Sequence, residues 1–407
     1  MKIAGAATLL FAFVFVPANM YRINHFYEDR SNNYVPFDYA YNILQSAGKD
    51  GIIFTNGDND TFPLWYLQSI GYRQDVRVIN LSLLNTNWYI KEMKNEMPYG
   101  SLKVAINMTD AQIDRLQPTQ WSDYKVVSVP VPPEAYPDSI SAAGGTPDKL
   151  SWKMPATFTS GSVKGIKLQD LIIYEIVKSN NWQRPIYFSA TVTDENFIGL
   201  DEYLVSEGMS KRLVPFKGDP AEQFRVNRQL MSENFIEAPR GHSKTPQPGY
   251  FFRGLNDPDV FFDQVHENLV QNYRTQYLIL AYSYLNIDTN RISGILDKME
   301  SNMPRSVIPM DYRILHDVAM LYNRIGNKAR FNELSYDVEN QALRDLNRNP
   351  NDISSFWNPY RLLMDIYEAR GEYAKAIDIL NKMDKLSPGN PEIKMKIEML
   401  RSKMLGK

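Results

Sequence analysis

The sequence contains no cysteine, which removes disulfide staples, thiolate metal sites and cysteine nucleophiles together. Histidine is nearly as scarce. The four residues His25, His242, His266 and His316 are scattered, so a histidine-rich metal site has no local basis. An excess of one charge is missing as well: 45 basic against 47 acidic residues leave a formal charge of −2. Nothing in that balance would hold a phosphate backbone, and nucleic acid is not an expected partner. No Gly-x-Gly-x-x-Gly, phosphate-binding loop, Gly-x-Ser-x-Gly or His-Glu-x-x-His occurs, and no cofactor is expected. What remains is a chain of 407 residues, 43% hydrophobic and 23% charged, with the composition of a folded protein and the length of two or three packing units.

One long apolar run exists, at the start. Residues 3–16, Ile-Ala-Gly-Ala-Ala-Thr-Leu-Leu-Phe-Ala-Phe-Val-Phe-Val, are unbroken by charge. With Lys2 before it and Val16-Pro17-Ala18 behind, the run has the layout of a secretory signal peptide. Extended to Met20 it approaches the ~20 residues that span a bilayer, with Tyr21, Arg22 and Tyr27 as interfacial anchors. A buried core helix is the third reading. Residues 1–22 are therefore expected to be a transmembrane helix or signal segment, and both membrane readings put the soluble part outside the cytoplasm.

Beyond a linker at 28–34, the pattern predicts an α/β domain over 23–250. A helix over 39–46 leads into a short strand, Ile52-Ile53-Phe54-Thr55, and a helix over 61–70 places Phe62, Trp65, Tyr66 and Ile70 at helical spacing. A second strand over 76–81 and a helix over 87–97 follow, then a helix over 168–177 and a strand over 184–189. Strand and helix alternating with short connections predict a Rossmann-like parallel sheet with flanking helices. Residues 203–205 and 212–214 read as a closing hairpin, whereas 125–163 read as a less regular insertion, a lid or a simple loop. Within it Val129-Pro130-Val131-Pro132-Pro133 favours extended backbone and Ser141-Ala142-Ala143-Gly144-Gly145 flexible backbone.

Over 255–407 the chain becomes helical. Tyr360 to Tyr367, then Gly371, Tyr373, Ala376, Ile377, Leu380, Met383 and Pro388, match the offsets of a tetratricopeptide repeat. Leu315, Ala319, Tyr322, Gly326 and Val338 give a degenerate copy, and 277–304 supplies a possible third hairpin. The expectation is an all-α tetratricopeptide-like domain.

Chemistry concentrates in Thr55-Asn56-Gly57-Asp58-Asn59-Asp60-Thr61, at the exit of the first predicted strand. Ligands of parallel α/β sheets gather beyond the carboxyl ends of the strands. The second strand exits into Asn85-Thr86-Asn87-Trp88, so Asn56, Asp58, Asn59, Asp60, Asn85, Asn87 and Trp88 form the expected ligand-facing rim. Amides, carboxylates and an aromatic face suit a glycan or other polyhydroxylated ligand. Asp58-Asn59-Asp60 also spells an Asp-x-Asp, which in nucleotide-sugar transferases holds a divalent cation. The competing structural reading has Asp60 or Thr61 cap the helix, with Pro63 in its first turn. No catalytic or metal residue is assigned. Glu195, Asp201, Glu202 and His242 are weaker candidates on loops.

The stretches 51–68, 75–89 and 203–215 carry Thr55-Asn56-Gly57-Asp58-Asn59-Asp60-Thr61, Asn85-Thr86-Asn87-Trp88 and Ser206-Glu207-Gly208-Met209-Ser210-Lys211-Arg212. They resemble the C-terminal soluble region of a bacterial multi-pass membrane family of unknown function, itself similar to the GT-C protein O-mannosyltransferases. The resemblance implies that residues 3–20 match that family's last membrane helix. It also implies a membrane-anchored, periplasmic soluble region whose partners are a membrane-embedded glycosyltransferase module and an acceptor protein or glycan. The catalytic acids of that class lie in the membrane module, so none carries over. Two alternatives stand beside this one: a helical scaffold for envelope proteins, and a free-standing metal-dependent glycosyltransferase using Asp58 and Asp60.

Overall fold

The computed structural model describes residues 2–135, 147–219, 222, 224–351, 353, 355 and 357–406. The chain divides into two compact units, 1–283 with 301–307, and 284–300 with 308–407. The first is mixed α/β with small sheets; the second is helical.

The first unit opens with α1 (Lys2–Glu28) and α2 (Val35–Gln45), followed by β1 (Ile52–Thr55), α3 (Asp58–Ser69), β2 (Arg77–Asn80) and α4 (Asn87–Asn95). A short α5 (Asp110–Ile113) precedes β3 (Thr119–Gln120), β4 (Tyr124–Pro130), β5 (Lys149–Pro155), β6 (Phe158–Ser160) and β7 (Val163–Ile166). Helix α6 (Leu168–Asn180) leads to β8 (Ile186–Ser189), the hairpin β9 (Leu204–Ser206) and β10 (Ser210–Leu213), then α7 (Arg228–Phe235) and α8 (Gln264–Ser283).

The main sheet has the order β2-β1-β8-β10-β9. Strand β1 pairs in parallel with β2 on one side and β8 on the other, while β10 runs antiparallel to β8 and β9. The three parallel strands are four-residue elements buried on both faces, which is why they read as apolar runs rather than as alternation. Ile52, Phe54, Ile79, Leu81, Ile186 and Phe188 join one core cluster with Tyr89, Ile90 and Met93 of α4 and Ile172, Ile173 and Ile176 of α6. Ile53 and Val78, of the other parity, belong to the opposite face, and α3 lies against both α2 and β2.

Helix α3 begins at Asp58, three residues early, because Gly57 takes φ +92°, a conformation side chains resist, and Asp58 and Asp60 complement the helix N-terminus. Pro63 is thereby the sixth helical residue rather than part of the first turn. Of the residues at helical spacing, Phe62, Tyr66 and Ile70 are exposed, and α3 buries Leu64, Leu67 and Gln68. The insertion is largely regular. Strands β4 and β5 form a seven-pair antiparallel ribbon, and Leu150, Trp152 and Met154 of β5 point alternately into the core. Strands β3, β7 and β6 make a second small sheet. Residues 141–145, read as flexible, lie outside the described residues.

Helix α1 is exposed rather than a buried core helix: Leu9, Leu10, Phe11, Phe13, Val14, Phe15 and Val16 are each more than half accessible. Among the described residues no helix is long and apolar enough to cross a membrane.

In the second unit, α9 (Thr289–Asn302), whose end belongs with the first unit, precedes α10 (Tyr312–Arg324), α11 (Lys328–Arg348), α12 (Pro359–Arg370), α13 (Tyr373–Leu386) and α14 (Pro391–Met404). From α10 onward each helix packs on the next, and α10 also meets α12. Gly371 ends α12 in the left-handed conformation, φ +77°, and Ala376 is fully buried.

A fully buried Arg73 ties the first unit together. Its guanidinium donates to the carbonyls of Leu44 (2.6 Å), Ala47 (2.9 Å) and Gly48 (3.1 Å) and pairs with Asp75 (2.9 Å), closing the end of α2 onto the lead-in to β2. An ammonium keeps the charge but not the planar fork. Arg73→Lys should lower the stability of this unit by about 3 kcal/mol, read as a shift of its urea midpoint.

Candidate functional site

Each of the three parallel strands ends in a polar residue: Thr55 in β1, Asn80 in β2 and Ser189 in β8. All three side chains turn toward the first turn of α3. The Thr55 hydroxyl meets the Thr61 hydroxyl at 2.8 Å, and the Thr61 hydroxyl donates to the Gly57 carbonyl at 2.6 Å. Asn80 donates to Thr61 Oγ1 (2.9 Å) and to the Gly57 carbonyl (3.2 Å), while its own oxygen accepts from Leu83 N (3.0 Å). Ser189 donates to Asp60 Oδ2 at 3.1 Å.

Asp60 is the centre of this arrangement. Only 1% exposed, it accepts on Oδ2 from the Asn56 backbone N–H (3.0 Å), from Ser189 and from the Thr191 hydroxyl. Burial raises its carboxyl above the ordinary range, and the bonds from Thr191, Asn56 and Ser189 oppose that rise. The crevice between β1 and β8, where the connections diverge to opposite sides of the sheet and where a ligand would ordinarily enter, is bridged by the protein's own carboxylate. Neither Asp60 nor Thr61 is the capping residue expected from sequence. Gly57 holds that position, and Asp60, three residues in, reaches back to Asn56.

The other expected rim residues are distributed around this bracket. Asp58 and Asn59 are exposed and Asn56 is half-buried. Asn85 is engaged with α6: its oxygen accepts from Gln169 N (3.1 Å) and its amide donates to Gln169 Oε1 (2.8 Å). Gln169 in turn donates to Asn196 (2.8 Å), joining the β2 exit to the β8 exit. Asn87 donates to the Asp114 carbonyl at 3.0 Å, and Trp88 is 56% exposed. Asn56, Asp60 and the β8 exit therefore meet directly, Asn85 meets that exit through Gln169, and Asn87 faces away toward α5. Sequence reasoning missed Asn80, Gln169, Ser189, Thr191 and Asn196. The legible signal was the polar residue closing each apolar strand.

The β8 exit continues into a cavity of about 400 Å³. Asp194 and Phe197 of that loop form one wall, with Asp201, Glu202, Lys211 and Arg225 around them. The Lys211 ammonium sits 4.6 Å from the centre of the Phe197 ring and 3.8 Å from Asp194. Burial lowers its pKa, and Asp194 and Asp201 act against that. Asp201 and Glu202, weaker candidates from sequence, thus both line the cavity, Glu202 paired with Lys217 (2.5 Å), while Glu195 accepts from Thr193 (3.2 Å). His242 stacks on Phe251 at 4.3 Å, in a loop that Ser243 N and the Tyr41 hydroxyl hold at 2.8 Å.

A family model described as TMEM260-associated domain 2 matches residues 36–128 and 128–230, the stretch that carries every strand of the sheets described above. This part of the chain is similar to TMEM260-associated domain 2. No curated protein matches the chain. The resemblance drawn from sequence to the GT-C class and to a bacterial family has no counterpart in these comparisons; the matched residues carry the Asp60 bracket, the rim and Lys211.

Because the folded state favours protonated Asp60, its contribution to stability is complete below the unfolded aspartate pKa of about 3.9 and is lost as pH rises through the higher folded value. Wild-type minus Asp60→Asn unfolding free energy should therefore fall with rising pH above about 3.9 and then flatten. A flat or rising curve in denaturant titrations would contradict the raised carboxyl.

Proposed function

We propose that this chain is a non-catalytic binding module that acts beside a membrane, holding an acceptor polypeptide or glycan for a membrane-embedded glycosyltransferase. The observation that carries the reading is the outer face of α3. Phe62, Tyr66 and Ile70, at i, i+4 and i+8, are 52, 59 and 45% exposed, a strip of large apolar side chains running back from the polar rim of Asp58 and Asn59. An apolar strip bordered by polar groups is the anatomy of a protein-binding surface. Asp60 supports the non-catalytic part: a carboxylate bound by three internal donors is not free to share a cation with Asp58, which weighs against the metal-dependent transferase. In this reading the parallel strands belong to a Rossmann-like layer, and the glycosyl-transfer context follows the resemblance to GT-C protein O-mannosyltransferases.

Helix α1 supplies the membrane contact and the envelope location. Its exposed Leu, Phe and Val side chains each gain roughly 0.3–0.6 kcal/mol in hydrocarbon, and attachment does not require that the helix cross. A second reading, a tetratricopeptide-like scaffold, is favoured by the α12–α13 hairpin, whose glycine turn and buried Ala376 follow the repeat offsets.

Both surfaces are open to test in the full chain. Phe62→Ala/Tyr66→Ala should weaken binding of an unfolded acceptor polypeptide by about tenfold or more, measured by fluorescence anisotropy. Unchanged affinity would remove α3 from the site. Phe13→Asp/Phe15→Asp should abolish co-flotation with phospholipid vesicles. Flotation equal to wild type would separate α1 from membrane contact.

A further inference from the structure

Strand β10 offers its two cations to opposite faces of the sheet. Lys211 is paired with Phe188, and Arg212 with Tyr187, so the guanidinium emerges on the face away from the Lys211 cavity. There a second cavity of about 400 Å³ opens between the end of α2, the start of α7 and residues 246–248. Tyr187, Glu207, Arg212, Asn227, Gln229 and Glu233 are among its lining residues.

Two groups in its wall are built as if for a third. The Glu207 side chain is 3% exposed, yet both of its neighbours approach the same oxygen: Asn227 Nδ2 donates to Oε1 at 3.2 Å, and Arg212 lies 3.8 Å from Oε1. Among the described residues, Oε2 of this carboxylate has no hydrogen bond. The Arg212 side chain, 23% exposed, has that one ion pair, and its guanidinium, with five donors, makes no hydrogen bond among the described residues. Both side chains line the cavity, so the Glu207 Oε2 oxygen and the Arg212 donors are open to a molecule that enters it.

The chemistry restricts what that ligand is. An anion would meet Arg212 but be repelled by Glu207 and Glu233; a cation would meet the two carboxylates but be repelled by Arg212. A neutral molecule with adjacent hydroxyls satisfies both, one hydroxyl donating to Glu207 Oε2 and its neighbour accepting from Arg212. The amide of Gln229, at the exposed edge, offers a donor and an acceptor more. The volume falls within the ~300–1,000 Å³ of small-molecule pockets and holds one or two sugar rings. We infer that this cavity is a saccharide-binding site in which Glu207 and Arg212 bracket a pair of adjacent hydroxyls. The site is separate from the α3 surface and does not depend on the function proposed for it.

The test uses the full chain with methyl α-mannopyranoside, methyl β-glucopyranoside and inorganic phosphate as probes, followed by saturation-transfer NMR. At least one glycoside should bind, and Arg212→Gln should weaken it about tenfold or more. Gln229→Trp, an exposed position that fills the mouth without touching the core, should do the same if Arg212→Gln fails to fold. Met395→Ala, an exposed position on α14 outside both surfaces, should leave glycoside binding unchanged. No glycoside binding up to about 10 mM, binding that survives Gln229→Trp, or phosphate binding lost in Arg212→Gln would each overturn the assignment.

Discussion

The first unit depends on a carboxylate that the fold keeps for itself. Three parallel strands stop at Thr55, Asn80 and Ser189, and what would be three loose carboxyl ends are gathered on the first turn of α3 by Asp60, Thr61 and Asn80. Parallel strands are joined only through crossovers, so nothing local fixes the spacing of their exits. Here that spacing is set by short polar side chains bonded to one another and to the Asn56 and Gly57 backbone. The cost is burial of an acid, visible in the raised Asp60 carboxyl; the return is a rigid edge on which exposed residues keep fixed positions.

That economy explains how the sequence could be read and where it misled. The three parallel strands were legible because each is a short, largely apolar run flanked by glycine, proline or an amide, and their parallel direction followed from the intervening helices. The Asp-Asn-Asp loop was legible as important but not as internal. A carboxylate beside a strand exit looks the same on paper whether it faces a ligand or a neighbouring loop, and the deciding partners, Ser189 and Thr191, lie about 130 residues downstream, at separations of 129 and 131. Helix α3 shows a second limit. Periodicity identifies a helix with a distinct face but does not say which face is wet, and here Phe62 and Tyr66 are outside while Gln68 is inside, donating to the Arg73 and Val76 carbonyls. In the β4–β5 ribbon the prolines outweighed the alternation of Leu150, Trp152 and Met154, which the structure uses fully.

The register of β10 links fold to recognition. A shift of one residue would exchange the faces of Lys211 and Arg212, putting each cation in the other's cavity. The turn before the strand prevents this. Gly208 sits at φ +113°, where its missing side chain makes room for the Tyr250 hydroxyl, and that hydroxyl accepts from Met209 N at 2.9 Å. Met209 N also reaches the Ser46 hydroxyl at 3.0 Å, while the Met209 carbonyl accepts from Ala190 N at 2.9 Å. The hairpin is thus nailed to α2, to the loop after β8 and to Tyr250 before Lys211 and Arg212 are placed. A side chain at 208 would collide with the Tyr250 hydroxyl. Two cavities of contrasting chemistry, one around a cation held among acids and one around a half-satisfied acid and guanidinium, therefore inherit their composition from a single glycine turn.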